Sequence, residues 1–246
     1  MKPREKLYSF HVKNLRVIDR AILRVGLACR RAISRGDEQS VASFTPVYAL
    51  LLGAWAECRL RKLIYEPSGF DQAERQAILC KPSQLERWQL ALELAFRKQY
   101  EIPRASLTAD TLEHSAYSRY TELGDLLATN LRLVIELRNK LAHGQWAYPL
   151  NNAGDDVAHE HMKALRAENL LSLQYKKTLL GHLAEAINDL VVSRPAFERD
   201  FDAHFRGIVA SRRDLVNRDY EWYVESMRAK YMRGREKRQL GPSGPT

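Results

Sequence analysis

Apolar residues recur along most of the chain at spacings of three, four and seven, the pattern of helices that turn one side to a core. Residues 5–35 carry Leu15, Ile18, Ile22, Val25 and Cys29 on one stripe, with Arg16, Arg20, Arg24 and Arg31 mostly on other faces. Arg35-Gly36-Asp37 breaks that run. Thr45-Pro46 has the form of an N-cap followed by proline at the first helical position, which predicts a second helix over Pro46–Tyr65 carrying Tyr48, Leu51, Leu52, Trp55, Cys58 and Leu63. Residues 66–82 read as a connector with one short helix. Ser83 and Glu86 have capping-box spacing, so a helix starts there, with Leu85, Trp88, Leu92, Ala95 and Phe96 as its apolar face and its end before Pro103. Residues 104–117 are looser.

The cleanest stripe belongs to a long helix over about 118–143, with Leu123, Leu127, Val134, Leu137 and Leu141 in phase and Asn130 interrupting them. Gly144 stands where a left-handed C-cap is wanted. Arg138, Lys140 and His143 fill the last turn, where the helix dipole favours cations. The texture then alternates, and residues 145–165 read as a small β-hairpin with Asn151–Asp156 as its turn and Pro149 on an edge strand. Helical spacing resumes near Glu168. Leu180, Leu183, Ile187 and Leu190 form a stripe that stops at Arg194-Pro195, and a last helix runs from about Ala196 to Lys230 with a kink at Gly207. Residues 232–246 form a basic tail, then rich in Gly and Pro, with the composition of a disordered segment. The sum is an all-α protein: an antiparallel helical bundle in a single domain over 1–231, with one β-hairpin and a helical C-terminal extension.

Composition narrows the class. At 45% hydrophobic and 28% charged residues, the chain is that of a globular protein. No apolar run is expected to reach the length of a membrane span, and the N-terminal residues lack the apolar stretch of a signal peptide. Cys29, Cys58 and Cys80 are odd in number and scattered, which argues against a disulfide framework or a cysteine metal site and fits a reducing cytoplasm. The net charge of +9, with a pI near 9.5, favours an anionic partner, with nucleic acid the first candidate. No phosphate loop, dinucleotide-binding turn, nucleophile elbow or zinc-binding helix motif is present, and no cofactor or metal is expected.

The string Arg138-Asn139-Lys140-Leu141-Ala142-His143, closed by Gly144, resembles the signature of the HEPN superfamily: R-x-x-x-x-H, usually with a polar residue after the arginine, at the end of a long helix. The resemblance covers mainly residues 46–146. In members with activity it implies metal-independent RNA cleavage at a site shared by two chains. Arg138, Asn139 and His143 are then the catalytic residues, RNA the substrate, and the biological role that of a toxin or antiphage effector with an antitoxin or regulatory protein as a further partner. It also leaves open a catalytically silent module that dimerises and binds RNA or a partner. Some members carry a modifiable tyrosine two residues past the histidine; this chain has Gln145 there.

The template occurs a second time, as Arg199-Asp200-Phe201-Asp202-Ala203-His204. Context favours the first copy. It closes a periodic helix and is followed by glycine, whereas the second lies inside one and reads as surface or packing residues. On an ideal helix Arg138 and His143 lie about 140° apart, while Asn139 and His143 share a face. Arg138 therefore joins them only through its long side chain or by meeting a second copy, which is a physical reason to expect a two-fold dimer. Glu57 either reaches Arg138 or is a surface carboxylate. Lys140 reads either as a contact to the RNA backbone or as an exposed helix-end lysine, and Trp146 either as a base-stacking residue or as a core residue of the hairpin. His143 could also serve only as a helix cap.

Overall fold

In the computed structural model, which describes residues 4–239, the chain is helical almost throughout. Its helices are α1 (Arg4–Arg35), α2 (Glu38–Ile64), α3 (Gln72–Cys80), α4 (Gln84–Gln99), α5 (His114–Leu126), α6 (Arg132–Ala142), α7 (His159–Ala167), α8 (Leu170–Val192), α9 (Arg194–Asn217) and α10 (Tyr220–Gln239). A π-turn, Leu127–Leu131, joins α5 to α6. The long helices pair as two hairpins, α1 with α2 and α8 with α9, while α6 lies along α2 and α10 returns to α1. The core is continuous, from Leu15, Ile22 and Cys29 on α1 through Leu52, Trp55 and Leu60 on α2 to Leu183, Ile187 and Phe197 on α8 and α9.

Local chemistry explains most boundaries. Gly36, at φ +72°, ends α1 in the left-handed region where a glycine carries no steric penalty. The capping box predicted at Ser83 and Glu86 forms at the head of α4, and a second one, Asp71 with Glu74, opens α3. Ser193 closes α8 and caps α9 by accepting a hydrogen bond from the Ala196 amide.

Several boundaries move. α2 begins at Glu38 rather than Pro46, because the Asp37 carboxylate accepts from the Ser40 amide at 3.0 Å and caps the helix a full two turns earlier. The Thr45 hydroxyl turns back to the Val41 carbonyl instead, and Pro46 sits inside the helix. At 27 residues, α2 is long and apolar enough to cross a membrane by length and composition, contrary to the sequence reading; in the fold it is a central helix, with Leu52, Trp55, Leu63 and Ile64 buried. α9 runs unbroken through Gly207. The imidazole of His182 occupies the space a side chain would fill there, and the break comes at Arg218 and Asp219. α10 then continues to Gln239, into the stretch read as a disordered tail; residues 240–246 lie outside the described residues.

The expected β-hairpin contracts to one antiparallel bridge, Leu150 with Val157. Its turn does form: the Asn151 amide donates to the Asp156 carbonyl at 2.8 Å, and Gly154 takes φ +78°. The second arm is lost because α7 starts at His159, and an isolated two-stranded ribbon has little stability of its own to resist that.

Candidate functional site

Arg138 is placed by a glycine. A β-carbon added to Gly53 on α2 would stand 2.3 Å from the Arg138 Cβ, so the two helices cross here with nothing between them. Glu57, one turn on from Gly53, receives the guanidinium: Nη2 of Arg138 donates to the Glu57 carboxylate, and Nη1 donates to Asn139 Oδ1 at 3.0 Å. The side chains of Arg138 and Glu57 are 29% and 36% exposed, so solvent screens the pair and it acts mainly as an aiming device. Next to it, burial pushes the Cys58 thiol pKa up, Glu57 and Asp19 add to that, and Arg138 opposes it only in part, which disfavours the thiolate.

His143 is the C-cap of α6. The Gly144 amide donates to the Leu141 carbonyl at 3.1 Å and the Gln145 amide to the Lys140 carbonyl at 3.0 Å, the paired bonds of a Schellman motif, with Gly144 at φ +78°. The imidazole is thereby held at an exposed helix end. The structure thus brings Arg138, Asn139 and Glu57 together. Among the described residues no hydrogen bond joins the His143 ring to them.

Lys140 is not the free surface lysine the sequence suggested. Its ammonium donates to the Leu150 carbonyl, and Gln145 Oε1 accepts from the Leu150 amide at 2.8 Å, so the segment after the helix is clamped at both polar groups of one residue. Trp146 is 42% exposed, which removes the core alternative, and Tyr148 beside it is 59% exposed. On the face shared with Asn139 and His143, Glu136 meets His161 of α7 at 3.2 Å. Sequence reasoning missed Gly53, Gln145 and the Glu136–His161 pair. Only the i, i+4 spacing of Gly53 and Glu57 on a helix facing the motif could have flagged the first.

The second template behaves differently. Arg199 pairs with its neighbour Asp200, with 2.6 Å between Nη2 and Oδ2. His204 faces inward from the middle of α9, its Nε2 3.0 Å from Asp189 Oδ2 on α8 and its ring 6.1 Å from that of His182. The histidine contacts are packing between two helices, and the arginine pair lies at the surface of one. No group of three or more His, Cys, Asp or Glu side chains among the described residues could hold a metal ion.

No protein-family model, no curated protein and no solved structure matches the chain.

Proposed function

We propose that this protein is a HEPN-type endoribonuclease that cleaves RNA at a site shared by two copies of the chain. The observation that carries the reading is the end of α6: a guanidinium aimed by Glu57 and Asn139 lies just over one turn before an exposed imidazole on a rigid cap. RNA brings its own nucleophile, the 2′-OH. The protein then has to supply a base near neutral pKa, a cation for the charge that develops on phosphorus, and an acid for the departing 5′-oxygen. His143 serves as base or acid. Arg138 holds non-bridging phosphate oxygens with its fork and stabilises the transition state. Two histidines, one per copy, divide the proton transfers. Exposed Trp146 and Tyr148, just past the cap, supply apolar area against which a second copy can pack. The products are a 2′,3′-cyclic phosphate and a 5′-hydroxyl, and an effector of this kind would be held in check by an antitoxin or regulatory protein.

The test is incubation of the purified protein with labelled RNA in EDTA. Cleavage that leaves cyclic-phosphate ends, and that His143→Ala removes, is the expected result. Cleavage that survives His143→Ala, or a protein that stays monomeric while active, overturns it.

One observation favours a second reading. Both terminal nitrogens of Arg138 are already engaged, by Glu57 and Asn139, as in a module kept for dimerisation and for binding RNA or a partner rather than for catalysis. RNA binding and dimerisation without any cleavage would select it.

A further inference from the structure

Two depressions along α1 are lined by none of the residues at the Arg138–His143 end. The first, about 440 Å³, follows α1 from Asp19 to Arg30 and is walled by Gln174, Tyr175 and Lys177 of α8. The second, about 390 Å³, continues from Arg30 and Ser34 to Tyr223, Lys230 and Tyr231 of α10. Arg30 and Gln174 line both, so the two form one channel. Asp19 to Ser34 is fifteen helical steps, or about 22 Å at 1.5 Å each.

The channel is cationic and aromatic together. Its cations are Arg30, Lys177 and Lys230, and its lining carboxylate, Asp19, is taken by Lys177 at 3.1 Å. Among the described residues no carboxylate lies within ion-pairing distance of Arg30 or Lys230. Arg30 is held instead by a neutral group: with the Gln174 amide turned so that its oxygen faces the guanidinium, the bond is 2.8 Å, and Tyr223 lines the same depression. A guanidinium fixed by an uncharged partner keeps its charge available to an incoming anion. Arg20, Arg24 and Arg31 are exposed along the same helix. A separate groove of about 800 Å³ is unlike it, with Glu38, Glu221 and Glu225 among the residues on its walls.

We infer that this channel binds single-stranded RNA, with Arg30 and Lys230 on the phosphates and Tyr175 and Tyr231 offering faces to unstacked bases. Every base has a face to stack, and phosphate contacts are indifferent to sequence, so the channel holds a strand without reading it. A duplex hides its base faces and gains only the charge. This deepens the proposed nuclease reading by naming an unpaired strand as the substrate, held away from the scissile link.

The experiment measures affinity of the full chain for a short labelled oligoribonucleotide by fluorescence anisotropy, in a His143→Ala background so that the probe stays intact. Lys230→Glu with Arg30→Gln should weaken binding about tenfold and make the salt dependence shallower by about 0.7 per cation lost. Tyr231→Ala should weaken it about fivefold or more at unchanged salt slope, as expected when stacking of about 1–3 kcal/mol per base is removed. Arg166→Glu, in the glutamate-lined groove, should change it less than twofold. Lys230→Glu, on an exposed turn of α10, keeps the test valid if the double variant folds poorly. Affinity unchanged in the channel variants, equal loss with Arg166→Glu, or tighter binding of duplex RNA overturns the proposal. The two readings fail separately: a strand held in the channel by a wild-type protein that never cuts sinks the nuclease and leaves the channel, whereas His143-dependent cutting with no effect of the channel variants does the reverse.

Discussion

Arg138–His143 and Arg199–His204 share more than the spacing R-x-x-x-x-H. Each has a carbonyl-bearing polar residue after the arginine and an alanine before the histidine. Their surroundings differ in every respect that matters to chemistry. The first arginine is drawn against a neighbouring helix at a glycine and aimed by a carboxylate 81 residues away; the second pairs with the residue beside it. The first histidine caps a helix and faces solvent; the second is spent on Asp189 between two helices. Function of this kind depends on where a helix ends and what crosses it, and the letters of the motif carry neither.

The most severe test of that contrast is a pair of histidine variants. His143→Ala should lower RNA cleavage by about a thousandfold, within the range general acid–base groups contribute, and leave thermal stability nearly unchanged. His204→Ala should do the opposite, leaving the rate within twofold and lowering stability by about 1 kcal/mol through the Asp189 bond it removes. If the two variants lose activity alike, the distinction between the two sites is wrong. Next in size is the helix crossing. Gly53→Ala forces a methyl group into the Arg138 stem and should destabilise the fold by about 1–3 kcal/mol in urea unfolding, with loss of cleavage. Gly124→Ala, where nothing lies within 4 Å, should instead stabilise by up to about 1 kcal/mol.

Glu57→Gln sharpens the comparison further. The pair it breaks is partly exposed, so stability should fall by no more than about 1 kcal/mol, while cleavage drops about tenfold because Arg138 is less well aimed. A faster enzyme would instead identify Glu57 as a group that withholds the arginine. The smallest effect concerns pH. Burial, then the nearby His204, hold the His182 pKa below its ordinary 6.5, and burial does the same to His11. The unfolded chain therefore takes up more protons than the folded one as pH falls below about 6.5, and stability is lost in that direction. Unfolding midpoints should decline from pH 7 to pH 5, and His182→Gln should flatten the decline; an unchanged slope would rule out His182 as its source.

Much of this was legible in the chain because the physics was local. Ser83 and Glu86 sit three apart and cap α4 as read, Gly144 takes its left-handed cap, and the Leu180–Leu190 stripe is core. What escaped was decided by competition or by distance. Asp37 outbid Thr45 as a cap, so a proline that marks helix starts ended up inside one. The His159–Ala167 segment preferred a turn of helix to the second arm of a ribbon. Gly207 carried a kink in the sequence reading and a neighbour's imidazole in the fold. At the candidate site, contact with Arg138 is one of two roles the sequence allows Glu57, but the glycine that permits it lies on another helix from the motif and has no side chain to betray it.

The π-turn at Leu127–Leu131 sets the phase of everything after it. A wide turn holds one more residue than an α-turn, and one residue is about 100° of rotation. Downstream of it, Val134, Ile135 and Leu141 are buried, and Arg138 lies on the same side, toward α2. A version of this protein shortened by a single residue between positions 127 and 131 would spell the motif unchanged and swing its arginine away from Gly53 and Glu57, so that a search by spelling alone would count as kin a molecule whose reactive end had been turned elsewhere.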